Sequence, residues 1–584
     1  MIRTTIRSLV CAMLLIGAGC SKPATDVASP DVVYADIVIT SARVYTVDDA
    51  MPQAESVAIT GDRITALGSD DDTAGLIGPG TRVIDARGRL VLPGFVDSHT
   101  HIFAGSFSAQ RINLSLADNL DTLREFLFAI KDQNPGTEAI YARGWQNHIF
   151  PKDGPRKEVL DEIFGDRVIV LGSVDGHSTW FSSKAFEVAG VDASTPDPEP
   201  GVSFFERDPV TGELLGTARE AASGLVTRKV ISFEREAYKA ALQRWLPQAA
   251  AAGLTTVFDA GASAPTQEEA YRILGELEDS DELTLRVYGS VGYQFGDDDP
   301  SARLLEYRGK YTGEYYRPYS VKLYADGVPE GHTAFLLEPY VDQPDSVGEP
   351  MIKPDRMAEL IIDSFERDVP VHVHAIGGAA VRMTLDSIEA AREATGKYDV
   401  PAAIAHMDFV SPEDIPRFAE LNVVAQTSIQ WAAADPSYQN IGGFVGMDVV
   451  EEAYPVKTLI ESGAVQSFGA DWPAAAYLST YKPLTLLEVA VTRQLPGELE
   501  MPVRKRSERL TVDEAIKSLT IRSAIQLDAD DEIGSLAVGK KADLILLDDD
   551  VFEMPAHDIH KARVALTMMD GRVVHENESG LAMH

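Results

Sequence analysis

The 584-residue sequence predicts an α/β protein: a (β/α)8, TIM-type barrel, a composite β-sandwich built from both chain ends, and an insertion after the first barrel strand. Two observations carry this expectation. Eight short apolar segments alternate with amphipathic helical text through the middle of the chain, and eight such units favour closure into a barrel. The two ends carry matching strand–turn–strand text, which points to one sandwich assembled from both termini. The boundaries read as residues 32–90 and 527–584 for the sandwich, 91–526 for the barrel and 105–245 for an inserted subdomain or lid.

The first stretch reads as an address. Arg3 and Arg7 precede the apolar run Leu9 to Ala18, then come small residues and Cys20, the layout of a secretory signal peptide over residues 1–20. The apolar run is too short to span a bilayer comfortably. Its ending, LIGAGC, resembles a bacterial lipoprotein signal in which Cys20 becomes the lipid-bearing first residue, although Gly17 stands where a larger aliphatic residue is usual. The expectation is an exported, lipid-anchored protein of the bacterial cell envelope, facing the periplasm or the outside, with residues 21–31 as a polar linker. Cleavage before Cys20 removes Cys11, so the mature chain would hold one cysteine and no intrachain disulfide.

From Ala35 the text alternates as strands do, in ADIVITSARVYTVD, ESVAITGDRITALG and RVIDARGRLVLPG, and reads as antiparallel strands of a small sheet. GSLAVGKKADLILLD and VALTMMDGRVVHE answer them near the C-terminus, with Asp570-Gly571 as a hairpin turn. A formal net charge of −38 repels phosphate backbones and anionic headgroups, which excludes nucleic acid as a partner. The acidic runs Asp70–Asp72, Asp297–Asp299 and Asp548–Asp550 lack the alternating ligand spacing of a calcium loop and read as solvated loops.

The barrel strands are read at VLPGFVDSHTH from Val91, GLTTVFDAG from Gly253, LRVYGSV from Leu285, YSVKLYADG from Tyr319, VPVHVHAIG from Val369, AAIAHMDFV from Ala402, VVAQTS from Val423 and QSFGADWP from Gln466. EEAYRILGELE and DRMAELIIDSFERD supply helical text between them. About one hundred and fifty residues separate the first strand from the second, too many for a simple crossover, so a lid is expected above the strand ends.

Polar residues gather where those strands end, which is where such a barrel keeps its chemistry. His99 and His101 fall on one face of the first strand, and two neutral imidazoles there can hold a borderline-soft cation such as zinc. The other ends offer Lys322, His372, His374, His406 and Asp471. This collection, with the wording PGFVDSHTH, VKLYADG, VHVHAIG, IAHMDFVSPEDI and FGADWP, resembles the amidohydrolase superfamily and, within it, the YtcJ-like branch. RGWQN, DGHSTWFSSKAFEVAG, LTVDEAIKSLT and GSLAVGKKADLILL extend the resemblance over nearly the whole mature chain.

The resemblance implies a metal centre with one or two divalent ions, zinc foremost. His99 and His101 match first-strand ligands, and His374 and His406 match those on the fifth and sixth strands. Asp471 matches an eighth-strand aspartate that touches metal and handles the proton of the attacking water. Lys322 matches a lysine that is carboxylated on its amine in related enzymes and bridges two metals. A buried lysine loses its proton more easily and can then take up carbon dioxide to become an oxygen donor. Paired cations lower the pKa of a shared water from ~16 toward ~7, and an aspartate within reach can move its proton to a leaving nitrogen. The sequence has no Gly-x-Ser-x-Gly elbow, Walker loop or His-Glu-x-x-His helix.

Structural readings stand beside some functional ones. His372 reads as a packed barrel-interior histidine rather than a ligand, and Lys322 alone would read as a surface or salt-bridged residue. His177 in DGHSTW lines the substrate pocket on the resemblance or caps a loop; Trp145 and Arg143 in ARGWQN form a pocket wall or pack the insertion. Gly378 stands where the resemblance expects Asp, in the surroundings of His374. The sequence therefore reads as a metal-dependent amidohydrolase cleaving a non-peptide or N-acyl carbon–nitrogen bond of a small molecule, with a homo-oligomer compatible and any membrane contact made through the lipid. Its rivals are an ester, lactone or phosphoester hydrolase on the same metal centre, and an exported binding or regulatory protein on a decayed scaffold.

Overall fold

Eight parallel strands form a nearly closed barrel: β1 (Phe95–Thr100), β2 (Leu254–Asp259), β3 (Arg286–Gly292), β4 (Tyr316–Tyr324), β5 (Val371–Ala375), β6 (Ala402–His406), β7 (Val424–Thr427) and β8 (Gln466–Phe468). Each overlaps one of the eight segments read from sequence, with β4 starting three residues earlier than read and β3 ending one residue later. The computed structural model describes residues 33–577 apart from 110–113, 118, 137–138, 232–233, 262–265, 295, 297–298, 436–437 and 475–477, so the signal segment and Cys20 lie outside the described residues.

Alternation explains how apolar strands carry polar chemistry. On β4 and β5, Val321, Leu323, Val371 and Val373 face outward and pack with Met357, Leu360, Ile361 and Phe365 of the helix Pro354–Glu366. The intervening Lys322, Tyr324, His372 and His374 face the axis, with Lys322 in register beside His372 and Tyr324 beside His374. Closure comes from the chain just past β8. Asp471 N donates to His99 O at 2.6 Å, and Ala470 N donates to an Asp97 carboxylate oxygen at 3.0 Å. Gly469 permits this approach, since a Cβ there would lie 2.4 Å from His99 N.

Two sheets from the chain ends form the sandwich. One has four strands in the order Arg63–Gly68, Ser56–Thr60, Ile37–Thr40, Arg82–Asp85; the other has six, running Arg572–Glu576, Val564–Met569, Leu544–Leu547, Leu90–Pro93, Arg43–Tyr45, Gln53–Ala54. The expected all-antiparallel pairing is corrected in two places. Ile37–Thr40 pairs in parallel with Arg82–Asp85, and Arg43–Tyr45 with Leu90–Pro93, because a hairpin and a short helix intervene and return the chain in its original direction. VLPGFVDSHTH also proves to be two strands. Leu90–Pro93 belongs to the sandwich, and the chain passes through Gly94 to β1. The hairpin at Asp570-Gly571 forms as read, with both residues at positive φ, 57° and 73°. Arg286, buried at the start of β3, donates to Asp543 and, at 3.1 Å, to Asp570, fastening sandwich to barrel; breaking a buried pair of this kind costs about 3–5 kcal/mol.

The insertion is a five-stranded sheet in the order Phe205–Arg207, Leu214–Arg219, Ser178–Phe181, Val168–Ser173, Ala139–Trp145. Ile169 and Leu171 face one apolar cluster, Val168 and Val170 the other, so helices cover both sides. The helix Arg235–Ala251 packs Tyr238, Leu242 and Leu246 against Phe95 and Phe103 and so lies on the barrel. The acidic runs are not plain solvated loops. Asp70–Asp72 form the first turn of a helix capped by Ser69, Asp299 caps the helix Pro300–Lys310, and Asp548 pairs with Arg89 at 3.1 Å.

Candidate metal centre

The inward residues of β1, β4, β5 and β6 converge beneath Asp471 with His101, which follows β1, and one nitrogen of each imidazole from β1, its end and β5 is held. His101 Nδ1 lies 2.9 Å from the carbonyl of Gly261, which can only accept, so Nδ1 carries a proton and, in the neutral ring, Nε2 is the nitrogen free to ligate. His374 Nε2 is 3.3 Å from Gly327 O, which by the same logic leaves its Nδ1 bare. His99 Nδ1 meets His372 Nε2 at 2.9 Å, turning His99 Nε2 inward and giving His372 an orienting contact.

Asp471 Oδ1 then lies 3.2 Å from His101 Nε2 and 3.5 Å from His99 Nε2, Asp471 Oδ2 lies 3.8 Å from His406 Nδ1, and Lys322 Nζ lies 3.3 Å from His99 Nε2. A tetrahedral site with ~2.0–2.1 Å bonds has edges of roughly 3.3–3.4 Å, so these gaps suit ligands around a common ion. With His101 in the neutral form that ligation requires, its Nε2 lone pair and the Asp471 carboxylate oxygen face one another as two acceptors, an arrangement that a cation between them would satisfy. Among the described residues, Asp471 Oδ1 and His406 Nδ1 are both buried without a hydrogen-bond partner, and His99, His406 and Asp471 offer ligand atoms within 4.8 Å of one another. The donor set fits a divalent metal.

Electrostatics prepare the same ligands. Burial, seconded by neighbouring positive groups, holds His99, His372, His374 and His406 well below the ordinary histidine pKa, in the neutral form that ligation requires. Burial likewise pulls Lys322 down to about 7, against the opposing pull of Asp471. His406 and Asp471 sit at φ 75° and 46°, left-handed conformations that cost non-glycine residues about 1–3 kcal/mol each and aim both side chains at one point.

A model of the amidohydrolase family matches residues 82–575. The chain belongs to that family. It is 29% identical over 566 residues to Protein LONG AFTER FAR-RED 3 of Arabidopsis thaliana, covering 93% of this chain and 92% of that one. Putative amidohydrolase YtcJ of Bacillus subtilis is 27% identical, with 91% and 98% covered, which supports the YtcJ-like branch. N-substituted formamide deformylase of Arthrobacter pascens is 25% identical, with 93% and 98% covered. Among solved structures, an uncharacterized metal-dependent hydrolase from Pyrococcus horikoshii has the same fold, with a TM-score of 0.69 at 21% identity over 89% of this chain and 99% of that chain.

Other candidate residues of this amidohydrolase divide between site and scaffold. His177 lies over the centre, its ring 5.2 Å from that of His374, and its Nδ1 meets Glu220 Oε2 at 2.9 Å. Burial pulls its pKa down, but the Glu220 carboxylate outweighs this and lifts it to about 9, so the imidazole is charged at neutral pH. Trp145 corrects the pocket-wall reading: it is buried within the insertion, and its Nε1 donates to Leu171 O at 2.8 Å. Arg143, two residues earlier, lines a cavity of about 240 Å³ between the insertion, the helix Ile102–Ser108 and the loop after Asp471.

Three carboxylates escaped the sequence reading. Asp97 accepts the His99 and Ala470 N–H groups at 3.1 and 3.0 Å, tying the strands that carry His99 and Asp471. Asp326 accepts the N–H groups of Phe335, Ile376 and Gly377 at 2.8–2.9 Å, fixing the turn just beyond His374. Burial raises both to about 7. Glu220, the third, is at φ 51° and also accepts from Thr333 Oγ1 at 2.9 Å. An acid inside apolar strand text was the available signal for the first two, in PGFVDSHTH and VKLYADG. At Gly378 a Cβ would lie 3.1 Å from Leu337 Cδ1, so Leu337 crowds the place of the expected Asp and the carboxylate organising this turn is Asp326.

Proposed function

We propose that this amidohydrolase hydrolyses a non-peptide or N-acyl carbon–nitrogen bond of a small molecule, with one or two divalent cations, zinc foremost, held by His99, His101, Lys322, His374, His406 and Asp471. The observation that carries the reading is the buried Asp471 carboxylate converging with His101 Nε2 and His99 Nε2 at 3.2 and 3.5 Å. When bound, the cation supplies the Lewis acidity that makes a water acidic near neutral pH and polarises the carbonyl it attacks. Asp471 takes that water's proton and returns it to the leaving nitrogen, a transfer that amides need because an amine anion is a poor leaving group. His177, kept charged by Glu220, offers an N–H toward the oxygen on which charge builds. The formamide deformylase is named for an amide-type cleavage, which supports the same chemistry.

Active protein is expected to carry roughly one to two zinc-like ions per chain. Because burial favours the neutral imidazoles, metal should stay bound below the ordinary histidine pKa of 6.5 and leave only at more acidic pH. Elemental analysis across a pH series checks both, and active protein free of metal would overturn the reading. A panel of matched amides and esters tests the bond: amides should be hydrolysed, and cleavage of esters alone would move the assignment to ester hydrolysis.

Export with a lipid on Cys20 is part of the proposal. Cys20→Ser should leave an unlipidated precursor and shift the protein out of the membrane fraction, since so acidic a chain has no charge attraction to an anionic surface. Unchanged fractionation would point to another tether or an ordinary secretory signal.

A further inference from the structure

We infer that the cavity beside the metal centre is a carboxylate-binding subsite anchored by Arg143, so that preferred substrates carry a carboxylate away from the cleaved bond; this rests on the amide-hydrolase reading. Arg143 stands on the strand Ala139–Trp145, in register with Gly172 of Val168–Ser173. A Cβ at Gly172 would lie 3.3 Å from Arg143 Cγ, and one at Gly176 would lie 2.6 Å from a terminal guanidinium nitrogen. Two glycines thus clear the path by which the side chain reaches the cavity.

Among the described residues the guanidinium has no counter-ion. Its Nε is buried with no hydrogen-bond partner, in a chain with 90 acidic and 52 basic residues, where a carboxylate partner would be easy to supply. The acid nearest in sequence to Gly176 is committed elsewhere: Asp175 accepts Ser173 Oγ at 2.5 Å and His177 N at 2.8 Å, and it also accepts from Asn147. Arg143 is part-buried, and its Nε, shut off from water, is left for an anion to satisfy; the cavity in front of it is where that anion fits.

The position joins this subsite to the chemistry. Gly176 lies against Arg143, while His177, the next residue, packs its ring on His374, so one short loop separates the anion site from the metal centre. Trp472 and Pro473, which follow Asp471, line the same cavity. Carboxylate is favoured over phosphate because the other described lining residues, among them Ser108, Trp472, Ser479 and Tyr481, are neutral. One guanidinium fork matches and neutralises one carboxylate, whereas a dianion would leave net negative charge inside a chain already at −38.

Two substrate pairs that differ only in the acid test this on the metal-loaded enzyme: N-formylphenylalanine against N-formylphenethylamine, and N-succinylbenzylamine against N-butanoylbenzylamine. In at least one pair the wild type should prefer the acid by about 100-fold in kcat/KM, and Arg143→Gln should collapse that preference to near one, chiefly through KM, with Arg143→Lys intermediate. No wild-type preference, a preference that survives in Arg143→Gln, or an equal loss on both members of a pair would overturn the inference while leaving the amide chemistry standing. If the wild type cleaves none of the four, calorimetric titration with the two acids decides. Binding that Arg143→Gln abolishes keeps the anion site and discards the amide reading, and binding that is absent or unaffected discards the anion site as well.

Discussion

Asp471→Asn is expected to lower turnover of an amide at least ~100-fold while the fold and most of the metal remain, because the amide oxygen can still ligate but cannot carry a proton between water and the leaving nitrogen. The surroundings support a selective effect. Asp471 hangs from a backbone that is tied independently, through Asp471 N to His99 O at 2.6 Å and Ala470 N to Asp97 at 3.0 Å, and neither bond uses its own carboxylate. Activated esters, whose leaving groups depart without a proton, should lose less than amides. Steady-state kinetics on a matched amide and ester, at equal metal content, provide the measurement. Near wild-type amide turnover in metal-loaded Asp471→Asn would remove the residue from proton transfer.

The barrel was legible because its signal is local. Each strand's alternation, as in VKLY and VHVHA, puts valine and leucine outward and the polar residues inward, and that period needs no knowledge of neighbours. Pairing within the sandwich is a different kind of information. Ile37–Thr40 meets Arg82–Asp85 in parallel only because the intervening hairpin folds onto it, a long-range arrangement that strand text does not encode. The site divides the same way. His99, His101, His374, His406 and Asp471 stand at strand ends where a barrel places its chemistry, yet the distinction between His374 and its neighbour His372 lies in what each Nε2 meets, the Gly327 carbonyl for His374 and the His99 ring for His372. Trp145 and Arg143 were indistinguishable as pocket or packing in ARGWQN. The sheet register decided, burying Trp145 under Phe150 and sending Arg143 past Gly172 into the cavity.

Lys322→Ala is expected to lose metal and activity together. Lys322 is 1% exposed, its Nζ lies 3.3 Å from His99 Nε2, and burial brings its pKa to about 7, so near neutral pH much of it is the amine that can bond to the carbon of carbon dioxide, releasing one proton and becoming an oxygen donor. The space left by its side chain should let formate, acetate or propionate supply the missing oxygens, and partial recovery of metal and rate with these acids is the expected signature. Stability separates this role from a structural one. In metal-free protein the unfolded chain keeps the lysine protonated up to ~10.4, whereas the folded chain releases that proton near 7, so wild-type stability should rise with pH across that window. Lys322→Met keeps the apolar stem without the charge and should be at least as stable as metal-free wild type at pH 7, with any advantage shrinking toward pH 10. Thermal or denaturant unfolding at the two pH values measures this difference. A Lys322→Met variant that is less stable at pH 7 would make the amine a structural group, and full activity with normal metal in Lys322→Ala would take it out of the centre.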